Sequence, residues 1–245
     1  MGHRTQARLA ATGSGRVSSL DWSRIRHNLD ARGWAVIKGL LAVTDCQPLA
    51  KQFADEKRFR SHVHMARHGF GRGEYKYFSY PLPEIIAGLR TSLYPHLSEI
   101  ANDWNMAMGL DERYPASHAE YLQQCHDAGQ TRPTPLLLAY GPGDYNRLHQ
   151  DLYGELVFPL QLTVLLSQPE TDFTGGEFVL TEQQPRMQSR PYVVPLERGD
   201  AVVFAVRQRP VRSVRGFTRV TMRHGVSEIR SGNRHALGII FHDAK

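Results

Sequence analysis

Apolar positions recur every three or four residues through much of the first 130 residues and then change to short β-rich runs. After Asp21, the stripe Trp22, Ile25 and Leu29 predicts a capped helix ended by Gly33, with WAVIKGLL following as a strand. A second helix is expected to start near Thr44 or Asp45. Ile86, Leu89, Leu93, Leu97, Ile100 and Trp104 define a long amphipathic helix despite Pro95, and a shorter one is expected from Ala116 to His126. Between these helices HVHMARHGFGRGEYKYFSYPLP alternates around glycines, which predicts strands or a long hairpin near a binding surface, with Gly71 and Gly73 in its turn.

From Pro135 the runs PLLLAY, ELVFPLQLTVLLS, GGEFVLTE, YVVPLERGDAVVFAV, RVTMRHGV and ALGIIFH are separated by turn residues. Short strands so spaced predict a β-sandwich or jelly roll, so the fold class is α+β, with N-terminal helices packed on a β-core. The expected organisation is a flexible arm over residues 1–18 and a single domain over 19–245. Residues 19–134 supply helical support and a substrate-facing hairpin, and 135–245 form the jelly-roll core.

Composition is that of a globular chain, 41% hydrophobic and 22% charged, which excludes disorder as the dominant state. Cys46 and Cys125 are too few for a disulfide framework, and nowhere do about 18 apolar residues run together as a spanning helix requires. These features point to a soluble cytoplasmic protein with no membrane partner. The net charge of +6 favours polyanionic partners, nucleic acid among them. From Arg186 to His235 there are eleven Arg against three acidic residues, Glu197, Asp200 and Glu228, a local net of +8.

The candidate chemistry sits near this basic stretch. In His149-Gln150-Asp151 the alternation of an extended segment points residues 149 and 151 to one side, where an imidazole and a carboxylate share an ion. With twelve His in the chain such a pair also arises by chance. His224, at the end of RVTMRH, can approach it from across a sandwich, and two His with one carboxylate make a facial triad. That set leaves coordination positions open for a bidentate 2-oxo acid and O2, as an Fe(II) centre needs. Arg234 follows after a turn through Arg230, Ser231 and Gly232, and its guanidinium can grip a carboxylate bidentately.

From Pro135 to Asp243 the chain resembles the Fe(II)/2-oxoglutarate dioxygenases, especially their prolyl-hydroxylase-like branch. The resemblance rests on an ordered series: Tyr140, His149-Gln150-Asp151, TGGEF at 174–178, ERGDAVVF at 197–204 and HGVSEIRSGNR from His224 to Arg234. It implies a double-stranded β-helix in which His149, Asp151 and His224 ligate iron and Arg234 pairs with the distal carboxylate of 2-oxoglutarate. Tyr140 would hydrogen-bond that co-substrate, and Thr163 or Gln161 would supply a second polar contact. The implied reaction hydroxylates a C–H bond with O2 and releases succinate and CO2. The whole chain, including GWAVIKGL and ALGIIFHDA, resembles a prokaryotic oxygenase family described as acting on alkylated DNA, which implies oxidative demethylation and DNA repair. The spacing from His224 to Arg234 is instead that of prolyl hydroxylases, so a protein or small-molecule substrate stays open. A jelly-roll module that binds without catalysis is a third reading, which an intact triad opposes.

Other histidines carry weaker patterns. His62 and His64 lie two apart, but the sequence places no carboxylate beside them. His235 and His242 flank the last strand and read as partly buried strand residues. GFGRGEYK lacks the lysine-serine pair of a phosphate loop. Tyr75, Tyr77 and Phe78 with Arg72 and Lys76 could clamp a base, or pack a hairpin.

Overall fold

The computed structural model describes residues 15–152, 154–214 and 216–245. Of the arm expected over 1–18, residues 1–14 therefore lie outside the described residues. Val17, near its end, is buried in the main core, and the Arg16 guanidinium donates to the Gly39 carbonyl.

Helix α1 (Trp22–Arg32) begins where the Asp21 carboxylate accepts the Arg24 N–H at 3.0 Å and ends at Gly33, whose N–H bonds the Leu29 carbonyl. Strand β1 (Trp34–Ile37) stops short of the run WAVIKGLL, because Asp200 captures both the Gly39 N–H and the Lys38 ammonium. Helix α2 (Val43–Lys51) follows, then β2 (Phe59–His64), β3 (Gly71–Arg72) and β4 (Glu74–Phe78). The long helix α3 (Glu84–Ala107) buries all six residues of its expected stripe, and α4 (His118–Asp127) is the shorter helix.

Gly71 and Gly73 do not make a simple hairpin turn. Although β2 pairs antiparallel with β4, the connection between them runs through β3, which pairs with a strand of the other sheet. Gly73 lies at the switch: its φ is +107°, and a Cβ there would meet the Tyr140 ring at 2.7 Å.

The remaining strands are β5 (Leu136–Tyr140), β6 (Tyr145–His149), β7 (Leu160–Leu165), β8 (Phe173–Gly175), β9 (Phe178–Gln183), β10 (Arg190–Val194), β11 (Ala201–Ala205), β12 (Gln208–Ser213), β13 (Gly216–Val226), β14 (Ile229–Gly232) and β15 (Arg234–Ile239). The larger sheet has the order β1-β11-β7-β15-β5-β4-β2 and the smaller β10-β9-β13-β6-β3, with β12 added against β13. Two antiparallel sheets wound in this order are a jelly roll with helices on one side, as the strand grammar predicts.

Burial explains why β11 reads as an unbroken apolar run, and why β7 is buried throughout with only Gln161 and Thr163, both lining the cavity described below, as polar members. In β11, Ala201, Val203 and Ala205 join the core shared with α1 and α3, while Val202 and Phe204 join the core between the sheets. A strand covered on both faces has no polar side to alternate with.

Candidate active site

His149 ends β6 and lies directly opposite His224 on β13, so two neighbouring strands of the smaller sheet bring the imidazoles together at a centroid separation of 4.2 Å. Asp151 follows two residues after His149 and places one carboxylate oxygen 3.4 Å from His149 Nε2 and the other 3.3 Å from His224 Nε2. The spacing expected from alternation is thus realised. Gln150 points the other way, donating to the Met222 carbonyl at 2.8 Å and the Arg207 carbonyl at 3.2 Å, and so pins the turn to β13.

Donor atoms 3.3–3.4 Å apart are separated as ligands on a single ion are. The tautomers suit that role. His149 Nδ1–H donates to the Arg147 carbonyl at 2.7 Å, leaving Nε2 for a metal. The His224 ring is held against Phe204 at 4.7 Å and Phe178 at 6.1 Å, and its buried Nδ1 has no hydrogen-bond partner among the described residues. Burial pushes the Asp151 carboxyl upward, but hydrogen bonds and charge from His149 and His224 outweigh it and hold the group well below the usual carboxylate range. Burial and the nearby His149 lower His224, keeping it neutral; burial opposes protonation of His149 too, but contact with Asp151 raises it. An ionised carboxylate beside a neutral imidazole is the state a divalent cation takes up.

The triad opens into a cavity of about 210 Å³ running between the sheets. Arg234, Tyr140, Thr163 and Gln161 all line it, so the residues expected to hold the metal and the co-substrate meet in one place. Arg234 starts β15 opposite Tyr140, the last residue of β5, with its guanidinium carbon 5.5 Å from the phenol ring. It is 1% exposed, forms no ion pair among the described residues, and its Nε has no partner. Burial lowers its pKa, with Tyr140 and Glu177 pulling the other way. A buried guanidinium with no carboxylate is a costly arrangement that an anionic ligand relieves. The Gln161 Oε1 is likewise buried without a partner.

The second glycine of TGGEF is required by Ile229, by this arginine and by its own backbone angle. Gly176 has φ +62°, and a Cβ there would lie 2.9 Å from Arg234 Cδ and 2.3 Å from Ile229 Cδ1.

Three features escaped the sequence reading. Asn146, which reaches toward the Tyr140 hydroxyl at 3.5 Å, and the anchoring role of Gln150 depend on register alone. The third is Glu74, which the pairing of β2 with β4 brings to His62 and His64, correcting the expectation that no carboxylate accompanies them. His235 lies outside the cavity, facing Phe53, and His242 is buried with its Nδ1 accepting the Phe158 N–H at 3.2 Å.

Comparison with known proteins agrees with this construction. Residues 73–244 match the model of a family described as an oxygenase catalysing oxidative methylation of damaged DNA. Two uncharacterized proteins of Mycobacterium tuberculosis, from strains CDC 1551 / Oshkosh and ATCC 25618 / H37Rv, are each 54% identical over 167 residues, covering 68% of this chain and 72% of theirs. Among solved structures, an oxidoreductase of the 2-oxoglutarate/Fe(II) oxygenase family from Burkholderia pseudomallei is similar with TM-score 0.54 and 14% identity, covering 92% of this chain and 93% of that one. A Pseudomonas putida prolyl-4-hydroxylase is similar with TM-score 0.51 and 14% identity, covering 91% and 99%. The chain belongs to the matched oxygenase family and is an enzyme, built on the double-stranded β-helix of the 2-oxoglutarate/Fe(II) oxygenases with a donor set that fits Fe(II), 2-oxoglutarate and O2.

Proposed function

We propose that the enzyme oxidises an alkyl group on damaged nucleic acid, with His149, Asp151 and His224 holding Fe(II) and Arg234 holding the distal carboxylate of 2-oxoglutarate. When bound, the metal with 2-oxoglutarate and O2 places one oxygen atom in succinate, as CO2 leaves, and the other in a substrate C–H bond. The protein's own share is placement. Arg234 fixes one end of the co-substrate from the larger sheet, Tyr140 and either Thr163 or Gln161 hydrogen-bond along it, and the apolar walls Leu136, Leu138 and Val226 exclude water.

The observation that carries the substrate class is the rim. Phe70, 47% exposed, stands at the mouth with His68 stacked on it at 5.4 Å, and Arg67, Arg72 and Arg147 are exposed on the same turn and its neighbouring strand. Leu152 is an exposed apolar residue beside it. Aromatic and apolar surfaces interleaved with arginines suit an unstacked base and its phosphates. The family description points the same way. Two buried free thiols, Cys46 and Cys125, fit a reducing, cytoplasmic setting, and no helix among the described residues is long and apolar enough to cross a membrane.

Succinate release would be measured with methylated single-stranded DNA, methylated duplex and a peptide library. We expect the single strand to stimulate turnover most. Stimulation by peptides alone would overturn the nucleic-acid reading and favour a prolyl-type hydroxylase, whose His-to-Arg spacing the chain shares.

A further inference from the structure

Strand alternation sends Tyr75 into the active cavity and Glu74 to the opposite, outer face of the larger sheet. Strand β2 is the edge strand there, and His62 and His64, two apart, share that outer face. The register puts His64 opposite Glu74 and His62 one step along, opposite Lys76. His62 Nε2 lies 2.9 Å from one Glu74 oxygen and His64 Nδ1 3.1 Å from the other, with the two rings 4.4 Å apart. The Lys76 ammonium, which would repel a cation, is drawn away to the Phe53 carbonyl at 2.9 Å and the Glu56 carboxylate.

We infer that His62, His64 and Glu74 form a second metal site, for a divalent cation of the imidazole-preferring kind such as Zn2+, on the sheet face opposite the active cavity. Three donor atoms lie within 4.8 Å of one another. Bonds of about 2.0–2.1 Å to a tetrahedral ion put its ligands roughly 3.3 Å apart, so a small adjustment of two rotamers seats the ion. The side chains are 30%, 38% and 41% exposed, which gives the ion a direct path from water and leaves its fourth position to solvent. Such an ion ties the edge strand β2 to β4, the strand whose other face lines the active cavity.

The test is a calorimetric titration of the chelator-stripped full-length chain with Zn2+ alone. Two ions per chain are expected for the wild type, because the catalytic triad also accepts Zn2+. His62→Ala with His64→Ala should retain one ion, as should Glu74→Gln with His64→Gln, a pair that keeps polar side chains on an exposed strand. His149→Ala with Asp151→Ala should also retain one, and combining it with the surface pair should leave none. A single ion on the wild type that the surface variants keep and the His149→Ala, Asp151→Ala pair loses, or two ions on the surface variants, would overturn the second site while leaving the triad assignment untouched.

Discussion

A methyl group at residue 176 would collide first with Ile229 and then with the Arg234 stem. Gly176→Ala should therefore displace the guanidinium and raise the 2-oxoglutarate requirement, at a stability cost of about 1–3 kcal/mol from overpacking and the positive φ. Steady-state kinetics with varied 2-oxoglutarate would check it, and an unchanged requirement would separate Gly176 from the co-substrate grip. Arg234→Ala should have the same signature more strongly, while metal affinity, set in the other sheet, stays near wild type. His149→Ala with Asp151→Ala should abolish iron binding and 2-oxoglutarate turnover in a folded chain; turnover surviving in that variant would remove the triad from the reaction. These residues were legible because each type has few chemical uses at its spacing: an imidazole and a carboxylate two apart on a strand, a third imidazole ending another, an arginine a turn later. Asn146 and Gln150 were not, since the carbonyls Gln150 anchors to, those of Arg207 and Met222, lie far away in sequence.

At the scale of elements, the long helix was legible from its apolar period but its most consequential residue was not. Arg90, a charge among the apolar positions of α3, is 1% exposed and donates to the Ile240 and His242 carbonyls and to Asp243 at 2.8 Å. It thereby clamps the helix to the chain beyond β15. Asp243 also receives the Tyr80 hydroxyl and faces His126. Arg90→Ala leaves a buried carboxylate without its cation, and we expect a loss of about 3–5 kcal/mol in urea unfolding; a loss under about 1 kcal/mol would mean that solvent reaches Asp243. The β2–β4 segment was legible as strands but not as a passage between two sheets, because a glycine pair marks both a tight turn and a close backbone approach. Only the neighbouring Tyr140 ring decides between them.

For the whole molecule, strand grammar and length sufficed to anticipate a jelly roll with helices, whereas the order of strands in each sheet depends on contacts that no local pattern encodes. The same interior makes the fold sensitive to acid. His118 and His242 are buried near Arg90, and burial together with that cation pushes each down to about 4. An unfolded imidazole titrates near 6.5, so between these values the unfolded chain binds more protons than the folded one. Stability should be at its full value above about pH 6.5 and fall as the pH drops toward 4, by on the order of 3 kcal/mol per imidazole at the limit. Urea midpoints at pH 7 and pH 5 measure this; His242→Gln should roughly halve the difference, leaving the share of His118, and a flat wild-type profile would refute it. Finally, the two halves of the site come from different sheets: His149 and His224 stand on the smaller one, with Asp151 just past its strand β6, while Arg234, Tyr140, Thr163 and Gln161 stand on the larger. On the proposed assignment a molecule of 2-oxoglutarate is a strut between two walls, anchored to each only when iron is present. Iron and co-substrate should then brace the chain against heat by more than the sum of their separate effects, a coupling that melting curves with each alone and with both would measure.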